Sequence, residues 1–139
     1  SPEFLMMSPR SARCHDNEGS VVLLALYSGW RILLTGDIET VAMQRLMDEH
    51  RDSLNADIVV LPHHGTAADG IEEFLRTVRP RVALASTGEP LSERMKRILS
   101  RLDIPLWSTA EEGAIVTQIE PEEVHIRGYA SGRYTTLTR

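Results

Sequence analysis

Short apolar strands alternate with segments of helical period across residues 31 to 108, and this alternation limits the chain to a layered α/β arrangement. The runs SVVLLALY (20–27), WRILLTG (30–36), DIVVL (57–61), RVALAS (81–86) and IPLWS (104–108) are short and rich in Val, Ile and Leu. They have the composition of strands buried on both faces. Ser28 and Gly29 separate the first two by a tight turn, which predicts a hairpin. Between the later runs, residues 40–54 place Val41, Ala42, Leu46 and Leu54 at near-helical spacing. Residues 68–78 read as a second helix, with Asp69 as its N-cap and Pro80 past its end. A third helix over 92–102 carries Met95, Ile98, Leu99 and Leu102 on one face. A strand–helix–strand repeat in one sheet requires parallel strands, so the sheet is expected to be mixed, with antiparallel pairs at its ends.

The flanks are read differently. Residues 1–15 begin with SPEFL, which has the look of an expression-vector scar, and are expected to be a disordered lead-in; regular structure is not expected before residue 20. GAIVTQI (113–119) and EVHIRG (123–128) close the folded part, residues 16–128, as short strands meeting at Pro121. Beyond Glu123 the chain has no acidic residue but holds Arg127, Arg133 and Arg139, and residues 129–139 are expected to be a solvated basic tail. The 139 residues, 42% hydrophobic, suffice for one core. No apolar run reaches the roughly 18 residues of a membrane-spanning helix, so a soluble fragment is expected. A formal net charge of −5 argues against a globally electrostatic nucleic-acid binder. Cys14 stands alone, which permits no internal disulfide.

Open α/β sheets place their chemistry at the carboxyl ends of the strands. Three such ends carry suitable residues: Thr35-Gly36-Asp37, His63-His64-Gly65, and Ser86-Thr87-Gly88-Glu89. On neighbouring parallel strands, about 4.8 Å apart, Asp37 and the histidines can converge on one point. A carboxylate and an imidazole together suit Zn²⁺ or Mn²⁺. Structural roles compete with this. Asp37 precedes a helix and can cap it, and a histidine at a strand end can be held by hydrogen bonds alone. His15, His50 and His125 have no local partners and are read as structural; Ser20 and Ser86 lack a nucleophile-elbow pattern, and no phosphate-binding glycine loop is present.

Taken in order, DNEGSVVLLALYSGWRILLTGDIE, NADIVVLPHHGT, VRPRVALAS and EEGAIVTQI resemble the second half of a metallo-β-lactamase-fold domain. The resemblance is closest to the C-terminal domain of ComEC-type competence proteins, membrane channels for DNA uptake, and runs from about Asp16 to Ile119. It implies that Asp37 is the metal-bridging carboxylate and that His64 falls on the last ligand position. His63 is the runner-up ligand, or contacts the substrate. Glu89, Gly65 and Thr66 then support the ligands or touch substrate. The implied chemistry is metal-dependent hydrolysis of a phosphodiester, with zinc or manganese, in a parent protein of the bacterial cell membrane that handles DNA.

The family's His-x-His-x-Asp-His cluster has no counterpart here; Cys14-His15-Asp16 comes nearest, with the wrong spacing. Glu89-Pro90 stands where the family often has His-Pro. The chain therefore reads as half of an αββα sandwich, a mixed β-sheet with helices on one face, inactive as a fragment. Its partners would be the remainder of the channel and, through the open sheet face, a second copy of itself as a homodimer. The alternatives are a non-catalytic DNA-binding module, with Arg94, Lys96 and Arg97 as possible phosphate contacts, or another hydrolase of the same fold.

Overall fold

A computed structural model describes residues 1–7 and 16–139. Cys14 and His15 lie outside the described residues. Six strands form one mixed sheet in sequential order: β1 (Glu3–Met6), β2 (Leu23–Tyr27), β3 (Trp30–Leu34), β4 (Ile58–Val60), β5 (Val82–Ala85) and β6 (Leu106–Ser108). β1, β2 and β3 are antiparallel neighbours, and β3 through β6 run parallel. The predicted hairpin is present. Ser28 and Gly29 both take positive φ, the geometry of a two-residue turn whose twist matches that of the strands.

The crossovers are α1 (Thr40–His50), α2 (Ile71–Val78) and α3 (Glu93–Arg101). Each offers an apolar stripe to the same side of the sheet. Met43, Leu46, Phe74, Leu75, Met95 and Leu99 pack with Leu24, Leu33, Val59 and Ala83, one residue from each of β2 to β5. Because side chains alternate along a strand, the intervening residues face the other way. There Trp30, Ile58, Val82 and Trp107 meet a second, three-stranded antiparallel sheet made of β7 (Ile115–Ile119), β8 (Glu123–Gly128) and β9 (Tyr134–Thr138). The fold is thus α/β with a mixed sheet and helices on one face, as the alternation of the sequence requires.

Several sequence expectations are corrected. Glu3–Met6 is an edge strand, not a disordered lead-in, because it pairs with β2 in register, Phe4 opposite Ala25. Asp16–Gly19 forms a 3₁₀ turn. The basic end of the chain is not a solvated tail. β9 pairs with β8, Arg133 reaches a carboxylate, and the Arg139 guanidinium lies 5.6 Å from the Trp30 ring centre. Asp69 does not cap α2; Gly70 occupies that position with φ 86° and no side-chain cap.

The open sheet face is also smaller than expected. β7–β9 cover Ile58, Val82 and Trp107, while toward the β1 edge Phe4 and Met6 remain 62% and 72% exposed. The register places Met6, Leu23, Leu34 and Val60 abreast on this uncovered face, at the end of the sheet from which the βα loops leave.

One polar cluster fastens the two sheets. α4 (Thr109–Glu112) ends at Glu112, which is 4% exposed. Its carboxylate accepts from the Ser131 hydroxyl and from Arg133 Nη1 at 3.0 Å. The Arg133 guanidinium also donates to the Leu106 carbonyl at 2.8 Å and sits 4.0 Å over the Trp107 ring. The Ser131 hydrogen bond, helped by Arg133, holds the Glu112 carboxyl below its ordinary value against the upward push of burial.

Candidate functional site

The parallel register brings three loops to one edge. Leu34, Val60 and Leu84 lie abreast, so Asp37, His63 and Thr87 each follow three residues beyond the same row. The β4 turn, Pro62–Gly65, is the strained one. His63 (φ 48°, ψ 51°), His64 (φ 59°, ψ 22°) and Gly65 (φ 86°) take the left-handed region consecutively. Each non-glycine residue there costs on the order of 1 kcal/mol, and such strain persists where the surroundings over-determine it. The surroundings are visible. The His63 amide donates to the Gly36 carbonyl at 3.0 Å, and the Thr66 amide and hydroxyl both donate to the His63 carbonyl. A Cβ at Gly65 would meet a Leu91 methyl at 2.3 Å, so with φ at 86° any side chain here is strained and must displace Leu91.

The strained turn sends the two rings in different directions. His64 Nδ1 lies 2.7 Å from the Ser86 carbonyl oxygen, at the end of β5. Since a carbonyl only accepts, Nδ1 carries the proton. The opposite nitrogen, Nε2, faces Asp37 Oδ1 at 3.5 Å. A neutral ring would then point a lone pair at a carboxylate, which is unfavourable without a cation. The arrangement suits a positive ion held between the two groups. Two donors about 2.1 Å from one tetrahedral ion are about 3.4 Å apart, which matches the Asp37–His64 separation. A ring nitrogen anchored to a backbone carbonyl is also how ligand histidines are commonly oriented.

His63 belongs to a different pair. Its Nδ1 is 3.0 Å from Glu39 Oε1, off the line of a ring N–H, so that this buried nitrogen makes no hydrogen bond. Its Nε2 is 3.5 Å from the Asn17 side-chain amide. The two ring centres are 6.1 Å apart. Of the adjacent histidines, His64 is the one that faces Asp37.

The β5 loop completes the edge. Thr109 pins it, accepting from the Thr87 amide at 2.8 Å and donating to the Thr87 carbonyl at 2.8 Å. His64, Ser86, Thr87, Gly88, Glu89 and Thr109 surround an open depression of about 520 Å³, so Glu89 shares the site with His64. Among the described residues no three His, Cys, Asp or Glu side chains converge closely enough to hold an ion. Asp37 and His64 form one edge of a coordination polyhedron and fall short of a complete one. Glu39, Asn17 and Thr109 do not stand out from sequence reasoning. Glu39 carries a usable signal, standing two residues after Asp37 on the same loop; the other two depend on tertiary placement.

Arg94 and Arg97, expected as phosphate contacts, line a groove beside α2, whereas Lys96 turns to Glu93 at 3.5 Å and does not. No helix among the described residues is long and apolar enough to cross a membrane.

No protein-family model matches the chain. Over 86 residues it is 36% identical to competence protein ComA of Neisseria gonorrhoeae, covering 62% of this chain and 12% of that protein. Over 119 residues it is 28% identical to ComE operon protein 3 of Bacillus subtilis (strain 168), covering 81% and 15%. A 55-residue stretch, 40% of this chain, is 38% identical to YcaI of Escherichia coli (strain K12), where it covers 7%. The chain spans at most 15% of the length of these relatives. It is therefore similar to one short segment of competence proteins of the ComEC type.

Proposed function

We propose that the chain is the C-terminal part of a metallo-β-lactamase-fold hydrolase domain in a ComEC-type protein that takes up DNA, and that it contributes Asp37 and His64 to a zinc or manganese centre acting on phosphodiesters. The observation that carries this reading is the Asp37–His64 pair. One imidazole nitrogen is fixed by Ser86, and the other faces a carboxylate at the spacing of two ligands on one ion. The similarity to competence proteins supports a role in DNA uptake.

A metal ion held there would supply Lewis acidity toward a phosphoryl oxygen. The protein's own part is orientation. Ser86 fixes the tautomer of His64, and the left-handed turn fixes the direction of its ring. Glu89, across the same depression, offers carboxylate oxygens that accept hydrogen bonds. The remaining ligands come from a segment packed against the uncovered sheet face. The row of Met6, Leu23, Leu34 and Val60 on that face adjoins the site, so such a segment would end beside Asp37. The fragment alone is then inactive or nearly so.

A cleavage assay on labelled single-stranded DNA with Mn²⁺ tests this. Any manganese-dependent cleavage by the chain must disappear in Asp37→Ala and in His64→Ala. Robust cleavage that survives both substitutions would refute the assignment.

A further inference from the structure

The groove between α2 and α3 is lined by three arginines of one helical stripe, Arg94, Arg97 and Arg101, at positions i, i+3 and i+7 of α3. Its volume is about 420 Å³, and Ala68, Ile71 and Ile98 contribute apolar surface to it. Two carboxylates answer these charges. Asp69 approaches Arg94 at 3.7 Å but is 88% exposed, and Glu72 is shared between Arg101 at 3.2 Å and Arg76 at 2.9 Å. Four guanidiniums against two carboxylates leave a local positive excess in a chain whose formal net charge is −5. Arg97 makes no ion pair or hydrogen bond among the described residues, and its guanidinium is exposed.

The stripe begins beside the segment that follows the strained turn. Arg94 Nη1 donates at 3.3 Å to the carbonyl of Ala67, the residue after Thr66 of the strained turn. From there the stripe runs seven residues along α3, about 10 Å at 1.5 Å per residue. At about 3.4 Å of rise per phosphate, one helical strand of nucleic acid presents three phosphates over that distance. Arginine's forked guanidinium suits phosphate oxygens, and apolar surface beside it suits sugar.

We infer that the α2–α3 groove is a nucleic-acid backbone site, in which Arg94, Arg97 and Arg101 hold phosphates of a strand leading to or from the Asp37–His64 edge. The inference builds on the DNA-uptake reading but requires no metal and no hydrolysis. It reads phosphate, so it confers affinity without base sequence.

Fluorescence anisotropy of a fluorescein-labelled twelve-nucleotide thymidine strand, in EDTA and across a salt series, tests it. The wild-type chain is expected to bind at 50 mM salt. Arg97→Ala with Arg101→Ala should weaken binding about tenfold and flatten the log–log salt slope by about 1.4, at roughly 0.7 for each single-strand phosphate that no longer meets an arginine. An adenosine strand should suffer the same loss. Binding read in EDTA needs no metal ion, which separates the groove from the metal reading. Absent wild-type binding, an unchanged slope in the double variant, or an equal loss in Arg51→Ala with Arg79→Ala of the neighbouring groove would overturn the inference.

Discussion

Asp37 and His64 stand 3.5 Å apart because two parallel strands end abreast and the turn after one of them is forced left-handed. The ring of His64 is held from behind by the Ser86 carbonyl at 2.7 Å, so its free nitrogen has one direction to face. Strand order, turn strain and a hydrogen bond to the end of the next strand each contribute one constraint to this pair. A substitution in any of the three should be felt there before it is felt in the core.

The turn itself gives the first prediction. Gly65→Ala places a methyl group against Leu91 in a left-handed conformation and should destabilise the chain by about 2 kcal/mol or more. Gly88, in the next loop, has open space where a Cβ would stand and no positive φ, so Gly88→Ala should lie within about 0.5 kcal/mol of wild type. Urea denaturation of the two variants side by side checks both values.

Glu112 makes stability depend on acid. Its folded-state carboxyl is held below the ordinary value near 4.5, chiefly by Ser131. The unfolded chain therefore binds the proton more readily than the folded one. This contribution is fully present above about pH 4.5 and is lost as pH falls through the lower folded value. Thermal midpoints measured from pH 6 to pH 3 should fall more steeply for wild type than for Glu112→Gln.

The same cluster supports a mutational test of the junction between the sheets. Arg133→Ala removes a charge partner from buried Glu112 and the cation over Trp107. It should cost on the order of 2 kcal/mol in chemical denaturation, with loss of near-ultraviolet ellipticity from the tryptophan. Arg127→Ala, exposed on β8, serves as the neutral comparison.

Much of the six-stranded sheet is legible in the sequence because its strands are apolar runs and its crossovers repeat at helical period. Both signals are local. Three other features are not local. β9, YTTLT, has one aliphatic residue and owes its existence to pairing with β8 and to Leu137 against the Trp30–Trp107 cluster. β1 reads as a scar, and its strand conformation comes from β2 alone. Side-chain capping preference puts the N-terminus of α2 at Asp69, but Gly70 in the left-handed region takes the cap position one residue later. For the site, Asp37, His64 and Glu89 are legible as ionisable residues at strand ends. The engagement of His63 by Glu39 is not, because it depends on where α1 begins.

The proposed centre requires the Asp37–His64 pair to face a cation. Its most direct test is Mn²⁺ titrated into the uniformly ¹⁵N-labelled chain, followed by two-dimensional spectra of the histidine rings. The ring signals of His64 should broaden first and strongly, those of His50 and His125 should persist, and Asp37→Ala should abolish the selective loss. Broadening that spares His64, that strikes all histidines alike, or that survives Asp37→Ala would contradict the account.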